Sequence, residues 1–211
     1  DYGCGEGRLA FALAKRTELT VIGVTSDADE AARARAALRR AGIYGTRVII
    51  HHRRLDKLGH TDHMFNLAVS SELLHHGKLP GDRVELLRVL RPSGGVLALG
   101  GLPQSGLAKL ITGSPLARGT TTESSGELLL AKRKPLDGAG KWTHTYGTAA
   151  QTANSGDKIV NGGKMALQWF GKPGARGMID RQGRNPPPLT SNGFLYVQGD
   201  NRIWGQDAFN G

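Results

Sequence analysis

The chain opens on Asp1-Tyr2-Gly3-Cys4-Gly5-Glu6-Gly7, and this heptad constrains the fold more than any other stretch. Three glycines alternate with other residues directly after an acid. An amphipathic run follows at once through Leu9, Phe11, Leu13 and Ala14. Glycines so spaced let a backbone turn sharply at the end of a strand and lie flat against a ligand. The helix that follows aims its free N–H groups at the same place. A strand should lead into such a turn, yet the numbering starts on the acid itself. The other end, Asp207-Ala208-Phe209-Asn210-Gly211, also breaks off abruptly, so the sequence reads as a piece of something longer.

The pattern downstream alternates strand and helix. Residues 8–16 read as a helix and 20–24 as a short buried strand. Asp27, with Glu30 three positions later, has the form of a capping box ahead of an Ala- and Arg-rich helix over 28–41, stopped by Gly42. Strands are expected over 47–51, 65–70 and 96–99, and a helix over 82–90 that ends at Pro92, Gly94 and Gly95. Residues 104–118 read as one helix ending near Gly113, and 127–132 as a further strand. Short connections between alternating elements argue for an α/β fold, a doubly wound parallel sheet covered on both faces. Ligands of such sheets bind beyond the carboxyl ends of the strands, where the glycine heptad lies.

The glycine spacing departs from the dinucleotide fingerprint, which needs its third glycine where Arg8 stands. The heptad instead resembles the first motif of the class I S-adenosylmethionine-dependent methyltransferases, an acid followed by alternating glycines. Val21–Val24 with Thr25-Ser26-Asp27 resembles that family's second strand and its end. Glu85–Gly95 resembles the helix and turn before its fifth strand. The resemblance covers about residues 1–100. It implies a Rossmann-like domain of the methyltransferase type over 1–134, lacking its first strand, with S-adenosylmethionine as cofactor and an unidentified methyl acceptor.

The residues the resemblance assigns to the cofactor are Asp1, Gly3, Cys4, Gly5 and Gly7 in the loop, Thr25 or Asp27 at the ribose, Asp56 toward the adenine, and Ser70 at the reaction mouth beside Ser71 and Glu72. Two departures bear on function. Where the family ends its second strand on a ribose-gripping acid, a carboxylate able to accept two charge-assisted hydrogen bonds, this chain has Thr25, and the nearest acid, Asp27, also suits a helix cap. Asn66 stands where the fourth strand often carries Asp. Cys4 reads as a small packed residue rather than a nucleophile. His51, His52, His60, His63, His75 and His76 do not form a ligand set at metal spacing, so no metal is expected; His75 or His76 could face an acceptor as a general base. No catalytic residue is assigned.

Residues 135–141 read as a linker, after which the character changes. Of the 31 glycines, 12 fall after residue 140, helical patterns vanish, and Pro186-Pro187-Pro188 precludes regular pairing. A hairpin is expected from strands at 193–198 and 202–206 around Gly199-Asp200-Asn201. Trp142-Thr143-His144, Thr152-Ala153-Asn154-Ser155, Leu167-Gln168-Trp169 and the terminal Asp207–Gly211 resemble the opening of quinoprotein-like (PQQ-like) β-propellers. That resemblance implies a partial propeller segment over 142–211. A single partial blade lacks the neighbours that bury its faces, so loose packing is expected there. PQQ itself is not expected in this fragment, because its site needs blades beyond the chain.

A formal charge of +10 raises nucleic acid as a partner, but the basic residues are dispersed and no aromatic residues interleave with them, so nucleic acid is not expected. No run of 18 apolar residues spans a membrane in this fragment. The two halves imply different compartments: cytoplasm for an active methyltransferase, cell envelope for the propeller. Two functions compete. One is a methyltransferase-type domain fused to a propeller. The other is a degenerate, non-catalytic copy of that fold serving a binding or scaffolding propeller, which Thr25 and Asn66 favour.

Overall fold

The computed structural model describes residues 1–160, 162–163, 166–171, 174, 177–179 and 185–211. The chain divides into two compact units. One comprises Asp1–Leu90 with Gly95–Arg133, the other Arg91–Gly94 with Lys134–Gly211.

In the first unit, helix α1 (Arg8–Arg16) leads to strand β1 (Val21–Thr25), helix α2 (Ala28–Arg40) and strand β2 (Val48–His52). β1 and β2 pair in parallel, with Val21 opposite Val48 and Thr25 opposite His52. α2 starts where the sequence places it, because the Asp27 carboxylate accepts from the backbone N–H groups of Asp29 and Glu30 at 2.8 and 2.9 Å. Its apolar stripe is almost all alanine. Ala31 and Ala34 are fully buried with Leu38, against Cys4, Ala10, Val48 and Ile50. The small side chains let the helix lie close on the strands. At the end of α1, one Arg47 nitrogen donates to the carbonyls of Ala14 (3.2 Å) and Leu19 (3.1 Å), satisfying acceptors left over at and beyond the last turn.

A second sheet has the order β3-β4-β6-β5, from β3 (Leu67–Ala68), β4 (Val96–Leu99), β5 (Thr120–Ser125) and β6 (Leu128–Arg133). Helices α3 (Ser71–His76), α4 (Arg83–Val89), α5 (Gln104–Ile111) and α6 (Pro115–Gly119) accompany it. Its core gathers Leu73, Leu86, Leu90, Leu97, Leu99, Leu107, Leu116 and Leu129. The opening residues stitch the two sheets together. Tyr2 donates its N–H to Val69, Cys4 donates to Val24, and Val24 donates to Asp1, at 2.8–2.9 Å. Residues 1–4 thus occupy a strand position between β1 and β3.

Four sequence expectations need correction. The sheet is mixed rather than wholly parallel. β3 and β4 are parallel, but β6 runs antiparallel to both β4 and β5. β5 and β6 are joined by Gly126-Glu127 alone, and a two-residue link permits only an antiparallel return, since a parallel one needs a crossover of a dozen residues or more. The helix expected over 104–118 is two helices, broken where Pro115 takes the first position of α6. The strand expected over 65–70 shortens to Leu67–Ala68, because Ser70 turns out of the sheet to cap α3. The capping box is half formed: Asp27 caps, but Glu30 bonds elsewhere.

The second unit contains a three-stranded antiparallel meander, β7 (Leu189–Ser191), β8 (Phe194–Gly199) and β9 (Arg202–Asp207). Asn192-Gly193, both at positive φ, makes the first turn, the favoured two-residue hairpin loop. The β8–β9 hairpin matches the sequence reading within a residue. A propeller blade carries four strands, and the described residues supply three here; the segment 142–211 also includes positions outside the described residues. Among those described, Val197 is the one hydrophobic side chain of the three strands in the buried core, while Phe170 is 87% and Leu167 74% exposed.

Candidate functional site

The first unit holds a cleft of about 450 Å³ at the carboxyl ends of its strands, lined by Gly3, Cys4, Gly5, Glu6 and Arg8 of the opening loop, Glu30 of α2, and Ser71, Glu72, His75 and His76 of α3. The floor is the glycine loop. Gly3 and Gly5 take left-handed backbone conformations, with φ of +66° and +51°. A Cβ on Gly3 would stand 2.8 Å from Glu72 Cβ and 3.1 Å from Pro80 Cγ, whereas a Cβ on Gly5 would meet nothing within 4 Å. Gly3 is therefore required by packing. Gly5 leaves open space above the backbone, as a ligand cradle requires.

The loop is fastened to α3 by four bonds. Asp1 accepts from the backbone N–H of Ser71 at 2.9 Å and from its hydroxyl at 2.7 Å. Glu72 N–H donates to the Gly3 carbonyl at 3.1 Å. The buried Ser70 hydroxyl donates to the Tyr2 carbonyl at 2.7 Å and accepts from Leu73 N–H at 3.2 Å. The opening acid and Ser70 thus set the geometry of the cleft without lining it.

Of the residues singled out in the sequence, the structure brings Gly3, Cys4 and Gly5 to the cleft surface. Gly7, Thr25, Asp27, Asp56 and Ser70 are not among its lining residues. Thr25 is buried at the end of β1, and its hydroxyl donates to the Glu30 carboxylate at 2.7 Å. Asp27 is committed to the helix cap, and the Glu30 and Asp29 N–H groups hold its carboxyl below the usual range. Asp56 is exposed and paired with Arg54, which depresses it likewise. Cys4 is buried and its thiol is pushed up to about 11, chiefly by burial, so it stays protonated and packs as a small apolar group. Among the described residues, no group of three or more His, Cys, Asp or Glu side chains comes together as a metal site, and no helix is long and apolar enough to cross a membrane.

Sequence reasoning missed Glu30 as a cleft residue. It read Glu30 only as the partner of Asp27, three positions away. The signal that could have found it is Thr25, five positions earlier: a hydroxyl at a strand end is too short to span a cleft, but it can hold a longer carboxylate from the first turn of the next helix. Glu30 places a carboxylate where β1 ends, which Thr25 itself cannot do.

Comparison with known proteins bears on this cleft. Residues 1–94 match the family model described as a methyltransferase domain. That stretch contains the whole cleft lining. No curated protein matches the chain. Solved structures similar to it include the cyclase SpnF, at 22% identity and a TM-score of 0.47 over 64% of this chain and 74% of that one. A SAM-dependent methyltransferase from Aquifex aeolicus is similar at 15% identity and a TM-score of 0.45 over 62% and 77%.

Proposed function

We propose that residues 1–134 act as a methyltransferase-type domain that binds S-adenosylmethionine in the glycine-loop cleft and passes its methyl group to an acceptor. Residues 135–141 serve as a linker, and residues 142–211 as the opening of a quinoprotein-like β-propeller. The observation that carries the first part is Gly5, a left-handed residue with empty space over it in the floor of a cleft that lies wholly within the family match.

The residues fit the cofactor's chemistry. The bare backbone at Gly3–Gly5 accommodates the amino-acid end. The Glu30 carboxylate, steadied by Thr25, is an acceptor pair for ribose hydroxyls and takes the part that the sequence assigned to Thr25 or Asp27. Asp1 and Ser70 keep the loop in register with α3. The cofactor supplies a reactive sulfonium methyl, so the protein's task is proximity and alignment. In support of the propeller reading, the β8–β9 hairpin leads directly into the Asp207–Gly211 motif, and Val197 is the one hydrophobic side chain of its three strands that is buried.

Thr25 and Asn66, in place of two acids, favour a second reading, a non-catalytic module that supports the propeller. Calorimetric titration of the chain with S-adenosylmethionine separates the two. Micromolar binding that is lost in Gly5→Arg supports the first reading. Absence of heat at millimolar ligand supports the second.

A further inference from the structure

Outside the cleft lining, two histidines of the first unit are packed where a charge is costly. His51 lies in β2 and His60 in the loop that follows. Their rings stack with centroids 5.2 Å apart, and Phe65 meets His60 edge-on at 5.1 Å. His51 Nδ1 and His60 Nε2 are shielded from solvent and have no hydrogen-bond partner among the described residues. An imidazolium donates from both ring nitrogens, so a proton added to either ring would leave a buried N–H with no acceptor.

The surroundings repel a cation as well. His51 and the Arg53 and Arg88 guanidiniums act on His60, and Arg53 and Arg35 act on His51. Glu85 pulls the other way, but Arg88 already engages both its oxygens and the Leu58 N–H donates to one of them. Burial first, and then the cations, holds His60 down at about 4 and lowers His51 too. His63, further along the loop beside Arg133 and Asp62, is also lowered, chiefly by burial.

These rings lie against a loop held by few bonds. Residues 53–63 contain no helix or strand. Arg53 Nη1 donates to the carbonyls of Leu58 at 3.0 Å and Gly59 at 3.1 Å, and Arg88 Nη1 donates to that of His60 at 2.8 Å. The His63 N–H donates to the Arg88 carbonyl at 2.8 Å, from a residue held at a φ of +62°, where a side chain is strained. Arg53 also donates its backbone N–H to the Thr25 carbonyl at 2.9 Å, and the Thr25 hydroxyl holds Glu30. The loop is thereby tied to the end of β1.

We propose that the stacked His51–His60 pair is an acid-released latch: capture of a proton by His60 opens residues 53–63, breaks the Arg53–Thr25 bond and loosens the end of β1 where Thr25 holds Glu30. The closed loop takes up this proton only near pH 4, whereas an open loop takes it up near the ordinary 6.5, so acid favours opening. From pH 7.5 to pH 5 that difference raises the open fraction about 30-fold, and His51 adds to it. The latch does not depend on what the cleft binds.

Amide hydrogen exchange on the 211-residue chain, without ligand, tests it. Rates are divided by the intrinsic rate at each pH, and low urea separates local opening, which it leaves unchanged, from unfolding of the whole domain, which it speeds. The reporters are the Arg53, Leu58 and His63 amides, with those of Cys4 and Val96 for the sheet interior. The expected result is that protection of the three loop amides falls about 30-fold from pH 7.5 to pH 5, stays below that of Cys4 and Val96 at both, and is insensitive to low urea. In His60→Phe, which keeps a ring in the stack, the fall with pH should be much smaller. Loop amides as protected and as urea-sensitive as Cys4 and Val96 overturn the latch. So does unchanged loop protection at pH 5 in the wild type, or an equal fall in His60→Phe.

Discussion

Two substitutions a residue apart should separate what the glycine loop does for folding from what it does for the ligand. Both Gly3 and Gly5 sit at positive φ, where an L side chain costs about 1–2 kcal/mol. At Gly3 that cost is joined by collision, since the new Cβ lands 2.8 Å from Glu72 Cβ, on a helix pinned to the loop by Asp1. Overpacking of this kind costs about 1–3 kcal/mol more. Gly3→Ala should therefore lose about 2–5 kcal/mol, and Gly5→Ala, with nothing within 4 Å, only about 1–2 kcal/mol. At about 2–4 °C per kcal/mol for a chain of this size, Gly5→Ala melts within about 8 °C of wild type and Gly3→Ala distinctly lower. Ligand affinity should rank the other way per unit of stability lost. Gly5→Ala raises a methyl group from the cleft floor and weakens S-adenosylmethionine binding by about tenfold or more, equivalent to about 1.4 kcal/mol, while the protein stays folded. Scanning calorimetry and titration calorimetry on the same preparations give both numbers. The reasoning is refuted if Gly5→Ala unfolds as readily as Gly3→Ala, or if it keeps wild-type affinity.

Other consequences can be measured independently. Glu30→Gln should weaken S-adenosylmethionine by about tenfold with little change in melting temperature, whereas Asp27→Ala should lower the melting temperature through the lost cap and Asp56→Ala should leave binding unchanged, all read by the same two calorimeters. Burial first, then the neighbouring His51 and Arg53, lowers His60 from 6.5 to about 4. Between those values the unfolded chain binds the extra proton, so stability is full above about pH 6.5 and falls toward pH 4 by at most about 3 kcal/mol; urea denaturation should show a smaller fall in His60→Phe. Arg88 grips both oxygens of Glu85 at 2.7 Å, and Glu85 accepts from Leu58 N–H. Arg88→Met should therefore cost about 2–3 kcal/mol in a denaturant titration by stranding a largely buried carboxylate.

What could be read from the sequence was set by local chemistry. The Asp27 cap, the glycine turn at residues 3–7 and the hairpin around Asp200-Asn201 follow from rules that act within a few residues, and each lies where the pattern puts it. α3 was missed because six residues show less than two turns of periodicity, and its cap, Ser70, is buried among longer-range contacts. β5, Thr-Thr-Thr-Glu-Ser-Ser, was missed because it is a polar, mostly exposed edge strand without apolar alternation. The antiparallel turn of β6 depends on that unseen partner. In the cleft, the glycines were legible from spacing, but Glu30 was not. Its position follows from a bond to Thr25, five residues earlier, which the three-residue capping-box spacing from Asp27 does not reveal.

The central claim is that the cleft above Gly5 is a cofactor site with Glu30 at its ribose end. A crystal structure of the chain grown with S-adenosylhomocysteine tests it most directly. The account predicts the ligand lying over the bare backbone of Gly3–Gly5 with its ribose hydroxyls within hydrogen-bonding distance of the Glu30 carboxylate. An empty cleft at millimolar ligand, or the ligand bound away from both Gly5 and Glu30, would contradict it.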